Sequence, residues 1–417
     1  MEELKSAAQQ MRERTHLYLR CLMTGTEYDL YAFNRRNVDE AYMMNFLSLH
    51  DLRNHFRPTL NDDAWKAVLD NKWFFQLHYS RLGLPLPRAY GVYQQGNGTD
   101  VHGKPLGNPQ AFRAFLEEAR PDSLVIKPVG GIKGKGLTIL SEIHYDDASI
   151  HGRTNTGISL SFDEIAETLD RPPNVVYRMR DYRLALPGYI RQAKVTQHPT
   201  VGSISPGTTN TVRVVTFRDG SDGVHVQCAI LRAGRRGNAA DNWAQGGISI
   251  AVDSATGVLG RGVLKPKYGG AWLDTHPDTG VVFFGMRLPY WSEVLDVCTR
   301  AAVATPGLRS VGWDVAITPD GPVLIEGNPD WDLPMMQVHS EGLLQPTVRK
   351  QLAELGLSFP EGTMPPISLH KWAERQQDRL LSRGGRKRRP MIVKLTEGAE
   401  RLYSKVAAQL GVSKRGS

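Results

Sequence analysis

Gly312-Trp-Asp-Val-Ala-Ile-Thr-Pro-Asp-Gly-Pro-Val-Leu-Ile-Glu-Gly-Asn328 reads as two short apolar strands joined by a Pro-Asp-Gly turn, with one acid inside each strand. A three-residue loop of Pro319, Asp320 and Gly321 sets Thr318 against Pro322. Counting outward then puts Asp314 opposite Glu326, with Cβ atoms only ~5 Å apart. Strand side chains alternate, so Asn328 shares the face of Glu326. Two carboxylates and an amide oxygen on one side of a hairpin suit a hard divalent cation that also holds phosphate oxygens, Mg²⁺ first and Mn²⁺ as the alternative. Without a cation, acids so placed would repel and one would stay protonated. A two-residue Asp320-Gly321 loop is the competing register, and it sets Asp314 against Gly327. The other alternative, two charges on a solvated face, sits poorly with the apolar runs they interrupt: Val311, Val315, Ile317 and Val323, Leu324, Ile325.

A chain of 417 residues is long enough for two or three domains and a large core. Its balance of 41% hydrophobic and 23% charged residues excludes a disordered chain, and no apolar stretch is long enough to cross a bilayer. The N-terminus does not begin a secretory signal. Cys21, Cys228 and Cys298 lie far apart without metal-ligand spacing, which fits reduced thiols in a cytoplasmic protein. A net charge of +8 points to a polyanionic ligand, and the phosphates of a nucleotide suffice, so nucleic acid is not the expected partner.

Residues 1 to about 60 carry apolar residues at helical spacing, in Glu2 to Leu22 and Val38 to Phe56. Further helices are expected over Asn71 to Gly83, Pro109 to Arg120, Ser161 to Leu169 with a Ser161/Glu164 capping box, and Trp291 to Thr305. Strands are expected at Arg88 to Tyr93, Ser123 to Lys127, Leu137 to Leu140, Tyr189 to Val195, Thr211 to Phe217, Val224 to Leu231 and Gly247 to Val252. Helices mixed with antiparallel hairpins make the fold class α+β, not a doubly wound parallel sheet.

The second informative stretch is Val125-Ile-Lys127-Pro-Val-Gly130-Gly131-Ile-Lys133-Gly134-Lys135-Gly136. Glycines let the backbone approach an anion closely, and the interleaved lysines add positive charge. No glycine sits five places before Gly134-Lys135 and no Ser or Thr follows, which excludes a Walker A loop. A protein-kinase loop is excluded because its lysine follows the glycines, whereas Lys127 precedes them.

In these features the chain resembles the ATP-grasp superfamily, specifically its sugar-transfer-associated branch, related to glutamate ligases. The resemblance spans roughly residues 65 to 345. It rests on Val125-Ile-Lys-Pro128 with its glycine loop, Asn210-Thr-Val-Arg213, Asp241-Asn-Trp-Ala-Gln-Gly-Gly247, Asp274-Thr-His-Pro277, and Gly312-Trp-Asp through Glu326-Gly-Asn328. It implies an ATP-grasp fold of two α+β subdomains gripping ATP. Within that span it implies N-terminal and lid subdomains (65–195) and a C-terminal subdomain with the Mg²⁺ site (196–345); the residues themselves read as a helical N-terminal region before it (1–64) and a basic helical tail after it (346–417).

The resemblance also implies roles. Lys127, with Lys72 in reach, would hold the α- and β-phosphates, and the loop carrying Gly130, Gly131, Lys133, Gly134, Lys135 and Gly136 would close over the triphosphate. Gln192, Ala193 and Val195 would offer their backbone to adenine, and Asp241 and Asn242 would complete the nucleotide site. Arg213 would stabilise charge on the transferring phosphate, so Arg213, Lys127 and Asn328 form the implied catalytic set. Asp314, Glu326 and Asn328 would bind Mg²⁺. The implied activity is ATP-dependent joining of a carboxylate, on a small molecule or a glycan, to an amine through an acyl phosphate, with a role in polysaccharide biosynthesis. A phosphotransferase acting on a hydroxyl is the second reading. A non-catalytic polyanion binder using Arg386 to Arg389, a block that could also touch an anionic surface, is the third.

Overall fold

The computed structural model describes residues 3–131, 136–146, 149–171, 177–178, 183–184, 187–235 and 241–362. The chain divides into two units, Met1–Asp51 with Phe359–Ser417, and Leu52–Ser358. No helix among the described residues is long and apolar enough to cross a membrane.

In the first unit, Ser6 caps a helix over Ala7–Cys21. A Thr24/Glu27 capping box starts a second, Gly25–Leu30. Leu17, Tyr28, Phe33, Met43 and Phe46 form its core. The Lys5–Glu13 ion pair (2.9 Å) is buried there, and Glu13 also accepts from the Tyr28 hydroxyl (2.6 Å). The expected long helix over Val38 to Phe56 is instead short turns of α- and π-helix, because Asp39 and the Ser48 hydroxyl offer local caps to the backbone.

The second unit holds two large antiparallel sheets. Its strands are β1 (Ala89–Tyr93), β2 (Thr99–Asp100), β3 (Leu124–Pro128), β4 (Thr138–Tyr145), β5 (Ile150–Thr154), β6 (Ser159–Ser161), β7 (Tyr177–Arg178), β8 (Arg183–Leu184) and β9 (Tyr189–Gln192). There follow β10 (Thr211–Arg218), β11 (Val224–Ala233), β12 (Ile248–Val252), β13 (Leu259–Leu264), β14 (Trp272–Leu273), β15 (Ser310–Thr318) and β16 (Gly321–Asn328). The first sheet runs β2-β1-β9-β3-β4-β5-β6 and the second β14-β13-β12-β11-β10-β15-β16, with β7 and β8 paired separately. The architecture is α+β, as the mixed helix and hairpin signals require.

Alternation along the central strands divides the second sheet into two faces. Val212 and Val214 of β10 and Trp313 and Val315 of β15 pack with Val294, Val297, Cys298 and Ala301 of the helix Trp291–Val303. Thr211, Arg213 and Asp314 emerge on the opposite face. In the first sheet, Leu124 and Ile126 of β3 join Phe112 and Leu116 of the helix Pro109–Ala119, which turns Val125 and Lys127 the other way. The helix Lys72–Arg81, started by Asn71 accepting from the Trp73 and Phe74 amides, buries Phe75 and Tyr79. The Tyr79 ring meets Trp313 edge-on at 5.9 Å. This helix therefore carries Lys72 and Gln76, one turn apart, on a common side.

The acidic hairpin reaches the expected pairing by an unexpected route. Its loop is only Pro319-Asp320, since Thr318 pairs with Gly321, Ile317 with Pro322 and Val315 with Leu324. A bulge at Ile325 then shifts the register by one, so Asp314 pairs with Glu326 and Gly312 with Asn328. The expected three-residue loop is thus replaced by a tighter turn and an extra residue. The bulge has a second effect: the consecutive residues Ile325 and Glu326 both face one cleft.

Two of the glycines of this hairpin, Gly312 and Gly327, make room for tryptophans. A Cβ at Gly312 would come within 2.8 Å of Trp331 Cβ, and one at Gly327 within 2.7 Å of Trp313 Cζ3 and 3.0 Å of Leu69. Trp313 is fully buried and its Nε1 donates to Thr216 Oγ1 (2.8 Å), so it cannot move aside cheaply. Gly327→Ala should cost about 1–3 kcal/mol by overpacking, read as a lowered urea midpoint with an unchanged slope.

Candidate active site

A cleft within the second unit opens between the exposed face of β3, β4 and β9 and the polar face of β10, β11, β15 and β16. One end is apolar, lined by Pro87, Val125, Ile139, Ala193, Val195 and Ile325. The other is charged, lined by Lys72, Lys127, Arg232, Asp241, Asp314 and Glu326.

At the charged end the side chains are locked together. Arg213 grips Asp314 with both arms of its guanidinium, Nε to Oδ1 at 2.6 Å and Nη2 to Oδ2 at 2.7 Å. Register makes this possible, because Arg213 pairs directly with Asp314 across β10 and β15. Arg232 Nη1 reaches the same Oδ2 at 2.6 Å while its Nη2 donates to Asp241 Oδ1 at 2.5 Å. Asp241 Oδ2 accepts from the amide (3.0 Å) and the hydroxyl (2.5 Å) of Thr211, the residue paired with Arg232. Burial alone would raise the Asp314 carboxyl, but Arg213 and Arg232 outweigh it and hold it at about 2. Burial raises Asp241, against the pull of Arg232 and the Thr211 hydrogen bond.

Lys72 and Lys127 face this cluster. Burial lowers Lys127 to about 8, with Glu326 opposing the shift and Lys72 adding to it. Burial also lowers Lys72, against Glu326 and Asp70. Lys72 Nζ donates to the Gly131 carbonyl and its backbone amide to the Val129 carbonyl, which ties the helix Lys72–Arg81 to the chain leaving β3.

Glu326 and Asp314 meet at Asn328, whose Nδ2 lies 3.3 Å from Glu326 Oε1 and 3.5 Å from Asp314 Oδ2. The amide nitrogen thus occupies the point on which both carboxylates converge. The donor set fits a hard divalent cation: two carboxylates and, once the amide turns over, a third oxygen. Such an ion would compete with Arg213 and Arg232 for Asp314.

Of the residues expected at a nucleotide site, Lys72, Lys127, Gly131, Gln192, Ala193, Val195, Asp241, Asp314 and Glu326 all line this one cleft. Arg213 and Asn328 reach it through Asp314. Gly130 is buried beside Gly131. Gly136 has φ +72°, where a Cβ would meet Pro128 Cγ at 2.8 Å. Lys133, Gly134 and Lys135 lie outside the described residues. Asn242 sits beside Asp241, but its Oδ1 caps the 3₁₀ turn Trp243–Gln245 by accepting from the Ala244 amide (2.9 Å). Ala193 N–H donates to the Arg88 carbonyl (2.8 Å), so of its backbone groups only the carbonyl is left to face a ligand.

Two cleft-side groups escape a sequence reading. Arg232 lies beyond the expected end of its strand at Leu231; the strand continues to Ala233, and only the pairing with Thr211 brings Arg232 to Asp314. Gln76 bonds Gln192 from the helix Lys72–Arg81 (2.9 Å), and its one signal is the four-residue spacing from Lys72.

No curated protein matches the chain. Similar solved structures include N5-carboxyaminoimidazole ribonucleotide synthetase in its ADP complex, 13% identical, with 64% of this chain and 46% of that one covered and a TM-score of 0.36. Biotin carboxylase from Campylobacter jejuni is 9% identical over 74% of this chain and 50% of its own, with a TM-score of 0.42. D-alanyl-alanine synthetase A from Vibrio cholerae O1 is 11% identical over 72% and 63%, with a TM-score of 0.35. This chain spans less than two thirds of each of those proteins. The family model described as sugar-transfer associated ATP-grasp matches residues 51–351, the stretch that holds both large sheets and the cleft between them, and the chain belongs to that family.

Proposed function

We propose that the cleft binds Mg²⁺ and ATP and that the protein is an ATP-dependent ligase joining a carboxylate to an amine. The observation that carries this reading is the division of one cleft into an apolar slot and a charged end. In the charged end two buried lysines stand across from Asp314 and Glu326. Lys72 and Lys127 hold the α- and β-phosphates, and Arg213 neutralises charge gathering on the γ-phosphate. Asp314, Glu326 and Asn328 would hold the cation, which would supply Lewis-acid neutralisation of the phosphate oxygens.

A carboxylate oxygen of the substrate attacks the γ-phosphorus, and the bond to the β-phosphate bridging oxygen breaks as ADP leaves. The amine nitrogen then attacks the acyl carbon. A C–N bond forms, the C–O bond to phosphate breaks, and the nitrogen's proton goes to solvent. Arg213 and Arg232 grip Asp314, and if that carboxylate were given over to a cation their guanidiniums would be the donors available to phosphate oxygens. The acid is taken to be glycan-linked, a choice supported by the description of the family alone. We place the protein in the cytoplasm.

The test is incubation of the full chain with Mg²⁺, ATP, hydroxylamine and a panel of sugar-linked acids. ADP release together with a hydroxamate supports the ligase. A stable phosphoester on a hydroxyl acceptor overturns it in favour of a phosphotransferase.

A further inference from the structure

We propose that Gln76 fixes the side-chain amide of Gln192 so that its oxygen, not its nitrogen, meets the base, which makes the cleft selective for a 6-aminopurine over a 6-oxopurine. This rests on the nucleotide reading above and adds the residue that sets base choice. Gln76 Nε2 donates to the Pro87 carbonyl at 3.3 Å, and Gln192 Nε2 donates to Gln76 Oε1 at 2.9 Å. The direction of this relay follows from chemistry. A carbonyl only accepts, so Gln76 must turn its NH₂ to Pro87, and its own oxygen then faces Gln192. Gln192 in turn must present its NH₂ to that oxygen. The Gln192 Oε1 is left over, and no hydrogen bond reaches it among the described residues.

Strand alternation turns the Gln192 side chain toward the cleft. The neighbouring Arg191 takes the opposite face of β9, with its guanidinium carbon 4.4 Å from the Phe115 ring centroid. Gln192 pairs with Val125, and both line the apolar slot with Pro87 and Ile139. An adenine amine donates and so complements a fixed acceptor. The oxygen of hypoxanthine or guanine would oppose it lone pair to lone pair. A site built around one polar group rejects the analogue that reverses it.

The test is the calorimetric affinity of the full chain for ADP and for inosine diphosphate, both with Mg²⁺. Wild type is expected to favour ADP by roughly tenfold or more. In Gln76→Met, which keeps the length of the side chain, the Gln192 amide can turn over. The ratio should then fall to within roughly threefold, chiefly through tighter inosine diphosphate binding. Adding Gln192→Glu to that variant supplies two acceptor oxygens and should restore the preference without the relay. Gln76→Leu is expected to repeat the loss if the methionine variant folds poorly. An unchanged ratio in a natively melting Gln76→Met or Gln76→Leu protein overturns the relay alone. Failure of wild type to bind either nucleotide overturns the nucleotide reading together with it.

Discussion

Lys127→Met should reduce ATP turnover by roughly 10²–10³-fold while leaving the melting temperature unchanged or higher. The two outcomes have one cause. Lys127 is held in a buried site with no hydrogen-bonded carboxylate among the described residues, and burial pushes its ammonium down to about 8. The unfolded chain holds the same proton to about 10.4. A charge less welcome in the folded state than in the unfolded one costs stability at neutral pH. That cost disappears as pH rises from about 8 through the unfolded value. Wild type should therefore gain stability over that window relative to Lys127→Met, as urea midpoints would show. Nucleotide affinity should run the other way, because a phosphate needs the charged form: ADP binding weakens as pH rises above about 8 in wild type, and less steeply in the variant, which keeps only Lys72. A variant that loses turnover by unfolding would show a lower melting temperature instead.

The parts of this site that lie close in sequence are legible there; the parts assembled across strands are not. The pairing of Asp314 with Glu326 can be counted from one hairpin, and the lysine before its glycines is visible as a motif. Even there the count succeeds by compensation, since the shorter loop is cancelled by the bulge at Ile325. No local pattern announces a bulge, because the extra residue is just another apolar side chain in an apolar run. The bidentate grip of Arg213 on Asp314 joins residues 101 positions apart, and the single hydrogen bond from Arg232 to the same carboxylate joins residues 82 apart. An arginine inside Thr-Val-Arg-Val-Val-Thr could equally face solvent; only the order of strands β11-β10-β15 decides that it does not. Strands β5, β6, β13 and β14 go unread for a related reason. They are short or carry glycine, and they exist because a neighbouring strand offers hydrogen bonds.

Asp314→Asn should destabilise the protein by about 3–5 kcal/mol, whereas Glu326→Gln, its partner across the hairpin, should cost clearly less. Both should abolish Mg²⁺-dependent turnover if the two oxygens share a cation. The difference lies in what each carboxylate does when no ligand is bound. Asp314 is the shared counter-charge of two buried guanidiniums; losing it takes from Arg213 its one ion pair among the described residues and leaves Arg232 paired with Asp241. Glu326 makes no ion pair with either arginine among the described residues; it attracts Lys72, Lys127 and Arg232 through space, and it accepts a hydrogen bond from the neutral Asn328 amide. Since the arginines hold the Asp314 carboxyl at about 2, its contribution is complete above the unfolded value of about 3.9. It is lost as pH falls from there toward about 2. Chemical denaturation near pH 7 and near pH 3 separates the cases: the gap between wild type and Asp314→Asn narrows in acid, and the gap to Glu326→Gln does not. Equal losses of stability for both substitutions would mean that the hairpin itself, not the charge on one strand, sets the cost. Retained Mg²⁺-dependent turnover in Glu326→Gln would remove that side chain from the cation site.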